Sequence, residues 1–256
     1  MRNHLLRAAA GTAASGSASG HVTSGIILDL DARDGLTGGE WVDQSSEGHD
    51  ASLVGDTSHV DDTSSLNADY FDFDGNGDYL TFVDITERNG QNLFTFEIWI
   101  NIDTIQGSFG NSNNAAMLMS KNNFQTNGSA EIYLMTNSSS SYTADLLRLG
   151  SAGGGTVGSL DIDVSSLISN GTWYQIVVCR TATNAQIAYL NGSQIGTGNV
   201  SNSFGTNPMS IGANTNSSSW GGHFDGKIGI VRMYNRALSG TEVTQNWNAN
   251  KARYGY

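Results

Sequence analysis

Residues 224–256, FDGKIGIVRMYNRALSGTEVTQNWNANKARYGY, decide the fold class. Ile228, Ile230 and Arg232 alternate with Gly229, Val231 and Met233 as far as Tyr234, the period of two expected of a strand with two unlike faces. Beyond it, residues 238–242 open a helix. Ser239 stands at the N-cap and Glu242 at the third helical position, the reciprocal arrangement of a capping box. A long strand running directly into a short terminal helix predicts a sheet body with one helical closing element.

Upstream, strands alternate with turn residues. Residues 26–30 predict a first strand, and 70–74 with 79–83 predict a hairpin across the glycines at 75 and 77. Phe94, Phe96, Ile98, Ile100 and Ile102 alternate with Thr95, Glu97, Trp99 and Asn101, which predicts one core face and one half-solvated face. Further strands are expected at 116–121, 130–135, 144–149, 173–180, 185–190, 209–211 and 223–234. Asn191-Gly192 is the strongest hairpin turn, because a type I′ turn needs positive φ at both central positions. With 32 Gly and a single Pro, the turns must be made by Gly and Asn. The pattern is all-β, and a sandwich of this length forms one core more simply than two.

Residues 1–24 differ in kind. From Ala8 onward they are almost entirely Ala, Gly, Ser and Thr, too small-sided to build a core, so they read as an arm or linker ahead of a domain at 25–256. Arg2, Leu5, Leu6 and Arg7 are its candidate assembly contacts. A secretory signal is not expected, because Arg7 interrupts the apolar centre that Leu5 and Leu6 begin. Long Ser/Asn/Gly loops are expected at 106–114, 137–141, 151–158, 199–207 and 214–222.

The net charge of −12 excludes direct nucleic-acid binding, since acidic residues crowd the first third and no basic, aromatic-interleaved cluster offsets them. No apolar run approaches the ~20 residues needed to span a bilayer, so membrane insertion is not expected. The lone Cys179, within the apolar run 176–179, reads as a small buried hydrophobe. His4, His21, His49, His59 and His223 are scattered, with no nucleophile motif around them.

Five segments in order resemble the laminin-G-like, concanavalin A-like jelly rolls: GIILDLDARDG (25–35), EWVDQSSEGHDASLVG (40–55), YFDFDGNGDYLTF (70–82), LFTFEIWI (93–100), and TWYQIVVCRT (172–181) with AYLNGSQIGTG (188–198). The strand and helix at 224–256 resemble the family's closing signature. QNWNANKARYG (245–255) and MRNHLLRAAAG (1–11) further look like the ends of tailed-phage virion proteins. The resemblance implies a two-layer antiparallel jelly-roll sandwich with a short C-terminal helix and an extended N-terminal arm.

It also implies what chemistry to test. Glucanases of this architecture draw two carboxylates about 5 Å apart from a Glu-x-Asp-x-x-Glu strand. Here Glu97 is followed by Ile98 and Trp99, and Glu131 by Ile132 and Tyr133, so no enzyme is expected and Glu97 reads as a rim or structural residue. No cofactor is required. Residues 72–78 match the first half of an EF-hand loop, but the twelfth position is Val83, and the hairpin explains them better. Such jelly rolls often hold one structural calcium, commonly with the Asp of a closing Ile-Asp-x-Val strand; that position is Gly229 here. Asp29, Asp74, Asp78 and Asp225 are left as candidate ligands. Asn214, Asn216, Trp220 and His223, near Asp225, form the candidate carbohydrate site, with Trp41, Tyr133 and Tyr142 as further aromatic candidates. The expected function is a phage virion structural protein, a capsid decoration in preference to a tail or fibre component. Its expected location is the virion exterior, and its expected partners are other virion proteins, copies of itself or surface glycans. The alternative is a secreted or virion-borne lectin or adhesin.

Overall fold

The computed structural model describes residues 20–64, 66–83, 85, 93–104, 115–121, 130–135, 145–150, 160–182, 185–199, 208–215 and 222–256. Residues 1–19 of the expected arm and nearly all of the five expected loops lie outside them. In chain order the strands are β1 (Ile26–Asp31), β2 (Leu36–Thr37), β3 (Glu40–Trp41), β4 (Ala51–Val54), β5 (Ser58–Val60), β6 (Tyr70–Asp74), β7 (Tyr79–Phe82), β8 (Phe94–Ile102), β9 (Ala115–Lys121), β10 (Ala130–Met135), β11 (Leu146–Gly150), β12 (Leu160–Asp163), β13 (Trp173–Arg180), β14 (Ala185–Leu190), β15 (Ser193–Asn199), β16 (Met209–Ile211) and β17 (Asp225–Tyr234). The helix α1 (Gly240–Asn250) follows.

Two antiparallel sheets face each other. One runs β15-β14-β13-β8-β17-β6-β5, with β1 pairing to β17; the other runs β12-β11-β10-β9-β16-β7-β4-β3-β2. Phe71, Phe73, Phe96, Ile98, Leu118, Leu147 and Ile176 belong to the core that their inward faces enclose. This is the expected jelly-roll sandwich. Asn191 (φ 51°) and Gly192 (φ 75°) make the expected tight turn between β14 and β15.

The expected hairpin at 70–82 is not one. β6 pairs with β5 and β17 in the first sheet, whereas β7 pairs with β4 and β16 in the second, so the intervening turn crosses between layers. Adjacent strands with a Gly-rich turn cannot reveal this, because alternation is the same whether the chain folds back within a sheet or over the core. Phe71 and Phe73 are core residues, as expected.

The half-solvated face expected of β8 is likewise covered: all nine of its residues are buried. The cover is the C-terminal segment. Ser239 accepts the Glu242 N–H while the Glu242 carboxylate accepts the Ser239 N–H, the expected capping box, and α1 packs Val243 into a cluster with Val177, Cys179, Tyr189, Tyr234 and Leu238. Trp247 then stacks on Trp99 at 5.2 Å and Tyr254 stacks on its ring at 4.6 Å. Residues 20–24, assigned to the arm from sequence, also pack here. Val22 is buried, its N–H donating to Asn246 Oδ1 at 2.7 Å and its carbonyl accepting the Tyr234 hydroxyl at 3.0 Å.

β17 departs from strict alternation. Its register with β8 shifts between Ile228 and Ile230, so Ile228, Val231 and Met233 face the core while Ile230 joins Trp99 and Tyr254 outside. Gly229 sits at the shift, and the Tyr254 hydroxyl lies where a Cβ would stand. That packing accounts for Gly at the position where the family commonly has Asp. Among the described residues no helix is long and apolar enough to cross a membrane.

Candidate functional site

At one end of the sandwich the β6–β7 turn meets the turn after β4 and the segment leading into β17. Asp78 ties them together. It is buried, its Oδ1 accepts the Asp56 N–H at 2.9 Å, and its Oδ2 accepts the Asp74 N–H at 3.0 Å. Gly55 (φ 85°) permits the approach, since a Cβ there would collide with the Asp78 carboxylate. The carboxylates of Asp56, Asp74 and Asp78 have oxygens within 4.8 Å of one another. Asp225 pairs with Asp74 across β6 and β17.

Carboxylates crowd this end, with Lys227 paired to Asp103 at 3.3 Å. Burial pushes the Asp78 carboxyl above its ordinary value, and the charges of Asp74 and Asp56 push the same way against the two N–H donors. Burial also raises Asp225, with Asp103, Asp74 and Asp72 adding to it, and raises Asp72 despite Lys227 nearby. Three clustered carboxylates with spare lone pairs suit a hard cation.

The candidate residues are thus partly assembled. Asp74, Asp78, Asp225 and His223 share this end, the His223 ring reaching the Asp78 carbonyl at 3.4 Å. Asn214 is beside them in sequence but 2 % exposed, turned into the protein. Asn216, Trp220 and Tyr142 lie outside the described residues. Asp29 does not join the cluster. It pairs with Arg232, seven residues along β17 from Asp225, roughly 23 Å at about 3.3 Å per residue. Trp41 is no sugar platform, being fully buried and stacked on Phe71 at 4.3 Å. Tyr133 is buried on β10. Arg2, Leu5, Leu6 and Arg7 lie outside the described residues.

Beneath α1 lies a polar knot that sequence reading missed. Glu97 is fully buried and structural, not a rim residue. Its Oε1 accepts Trp99 Nε1 (3.0 Å) and Gln175 Nε2 (2.8 Å), its Oε2 accepts Asn246 Nδ2 (2.6 Å), and Arg232 stands at 3.6 Å. Arg232 Nε donates to Asp29 at 2.8 Å, and His21 is 3.2 Å from the same carboxylate. Burial works to raise Asp29, but Arg232 and His21 hold it below the ordinary carboxylate value. Next to it, Asp31 is clamped by Arg33 and by Arg253 at 2.8 Å, which together depress it against its burial. Cys179 is buried and its thiol is pushed up to about 11 by that burial, so it carries no reactive thiolate at neutral pH.

A family model described as the concanavalin A-like lectin/glucanases superfamily matches residues 74–244. The chain belongs to this superfamily. A search of curated proteins found no match. Solved structures with the superfamily's architecture are similar throughout the domain. Domain 4 of AbnA, a GH43 extracellular arabinanase from Geobacillus stearothermophilus solved with arabinotriose, has a TM-score of 0.61 at 14 % identity and covers 88 % of this chain and 98 % of its own. Botulinum neurotoxin type C, which depends on interaction with two ganglioside molecules to enter cells, has 0.62 at 14 %, covering 89 % and 52 %. The binding domain of Paraclostridial Mosquitocidal Protein 1 has 0.63 at 16 %, covering 89 % and 52 %. The chain therefore spans about half the length of the toxin domains. At these identities the likeness shows the fold alone.

Proposed function

We propose that the chain is a non-enzymatic contact module on the exterior of a tailed-phage virion, a capsid decoration protein in preference to a tail or fibre component. The observation that carries the non-enzymatic reading is Glu97. This carboxylate, one of the two tested above as a catalytic acid, is fully buried and enclosed by three hydrogen-bond donors and an arginine. An acid so held neither reaches a substrate nor exchanges a proton with one. Support for contact as the function comes from the similar proteins, of which the AbnA domain is bound to arabinotriose and botulinum neurotoxin type C interacts with gangliosides. The phage-like ends of the sequence support the virion setting.

In this reading residues 1–19 join the domain to neighbouring copies or to the shell, while 20–24 belong to the domain body. Deleting 1–19 and keeping 20–24 leaves the melting profile unchanged and abolishes co-sedimentation with particles. Undiminished attachment would refute the anchor. The second reading, a lectin or adhesin module, is favoured by the arabinotriose and ganglioside contacts of the similar proteins.

We also propose that Asp56, Asp74 and Asp78 hold a calcium ion. The donor set fits, because each Asp78 oxygen keeps a lone pair beyond the N–H it accepts, and a dication would neutralise carboxylates that now repel. Its contribution would be structural, fixing the crossing between the sheets.

A further inference from the structure

On the outer face of the first sheet a groove of about 420 Å³ opens between the loop after β5 and the C-terminal segment. Its lining combines open apolar surface with surplus negative charge. Leu66 is 50 % exposed, and the rings of Tyr70 and Trp173, both half-buried, meet edge-on at 6.3 Å. An exposed aliphatic side chain beside half-open rings, with polar groups around them, is the make-up of a protein contact. Asp61 and Asp62 supply the charge. Asp61 is exposed and Asp62 half-buried, and among the described residues neither has an ion-pair partner. The two cations of the lining do not answer them, because Lys227 pairs with Asp103 at 3.3 Å and Arg253 with Asp31 at 2.8 Å. Such a lining suits an occupant that is apolar and cationic.

The chain itself holds such a segment. Between residues 2 and 19 the only large apolar side chains are Leu5 and Leu6, the cations are Arg2 and Arg7, and there is no Asp or Glu. Arginines elsewhere are already engaged: Arg33, Arg148, Arg232, Arg236 and Arg253 each pair with a carboxylate of the same chain. All 24 acidic residues therefore lie outside the arm, so copies of the body repel one another, and the arm is the segment that offsets this repulsion. Its reach is sufficient. Residues 8–19, all Ala, Gly, Ser or Thr, span up to about 40 Å when extended. They end at Gly20, whose carbonyl accepts Gln245 Nε2 at 2.7 Å on the exposed side of α1. α1 and the groove share the outer face of the first sheet, so two copies that meet on this face exchange arms reciprocally.

We infer that the groove receives residues 2–7 of the arm of a second copy of this chain, with Leu5 and Leu6 against Leu66, Tyr70 and Trp173, and Arg7 against Asp61 and Asp62. Covering the leucines removes apolar surface from water, and the guanidinium meets carboxylates that have no other cation. The inference rests on the reading of residues 1–19 as an arm that joins copies, and names the surface that the arm meets.

The test is sedimentation velocity of the full chain over a concentration series. The parent self-associates, and less strongly as salt rises. Arg7→Glu and Asp61→Lys each weaken the association roughly tenfold or more, with circular dichroism and melting unchanged. Mixed together, these two variants associate with each other at about the parent's strength, because each arm then meets a groove of opposite charge. Leu66→Asp weakens the association as well. Self-association that the variants leave unchanged, or that mixing fails to restore, overturns the groove as the arm's site. A parent chain that stays monomeric throughout overturns the second copy as the occupant. Either result leaves the anchor reading standing on its own test, particle co-sedimentation of the chain lacking 1–19.

Discussion

At its Arg232 end β17 lies between β1 and β8 and beneath α1, with Arg232 flanked by Asp29 and Glu97. At its Asp225 end the same strand enters turns where Asp72, Asp74 and Asp103 act on Asp225, and Lys227 pairs with Asp103 alone. Both ends gather carboxylates, and their fates are opposite. Asp29 and Asp31 are drawn down by guanidinium partners, with Asp34 beside them the exception, raised to about 6 by burial and by Asp31, whereas Asp72, Asp78 and Asp225 are pushed up by burial and by neighbouring carboxylates. One end is a finished electrostatic unit that holds the fold. The other carries excess negative charge that an external cation would complete.

The largest way to break the contrast is Arg232→Met. It strands Glu97 and Asp29 as buried charges and is expected to cost about 3–5 kcal/mol in urea unfolding. Adding Asp29→Asn to that variant recovers part of the loss, since one stranded charge is removed.

Acid is expected to act next, and with opposite sign at the two ends. A carboxylate depressed in the folded state stabilises above its unfolded pKa and loses that contribution as pH falls through the folded value. For Asp29 and Asp31 the loss begins below about pH 4, the ordinary carboxylate range. Asp34, raised to about 6, and Asp72, Asp78 and Asp225, also raised in the fold, take up protons earlier and so stabilise the fold as pH drops toward that range. Melting temperature therefore holds or rises slightly from pH 7 to about 5 and collapses below about 4. Asp34→Asn removes the contribution from the guanidinium end, and a monotonic fall from pH 7 in that variant would contradict the division between the ends.

The smallest effect sharpens the comparison. Asp225→Asn removes one repelling charge from a half-exposed site and stabilises by less than about 1 kcal/mol at low salt, the gain vanishing as salt screens it. Calcium added to the parent chain raises its melting temperature, and Asp74→Asn abolishes the calcium response while leaving the Arg232 end untouched. An unchanged melt with and without chelator sinks the calcium proposal.

Much of the fold was legible because period-two alternation and turn chemistry are local. The β14–β15 turn at Asn191-Gly192 and the capping box at Ser239 and Glu242 depend on residues close in sequence, and both appear where expected. The crossing at 74–79 was read as a hairpin because a turn does not state which sheet its second strand joins. The need for Gly at 229 was invisible because the group that fills the space, the Tyr254 hydroxyl, arrives from 25 residues away. Of the candidate site, Asp74, Asp78, Asp225 and His223 share one end because neighbouring turns share one end of a sandwich. Asp56 was missed as a partner, since β4 and β7 had first to pair.

Sequence by itself determined that this protein is an all-β sandwich with a helical closure, because strand periodicity, glycine turns and capping are properties of a few adjacent residues. Tertiary structure alone decided that Glu97 is a buried anchor, that Asn246 and Tyr254 hold the closure down, and that Asn101 is buried between Trp173 and Lys227. Those roles depend on which distant side chains fill the space beside each residue, and burial and hydrogen-bond partnership exist only once the chain has brought them together.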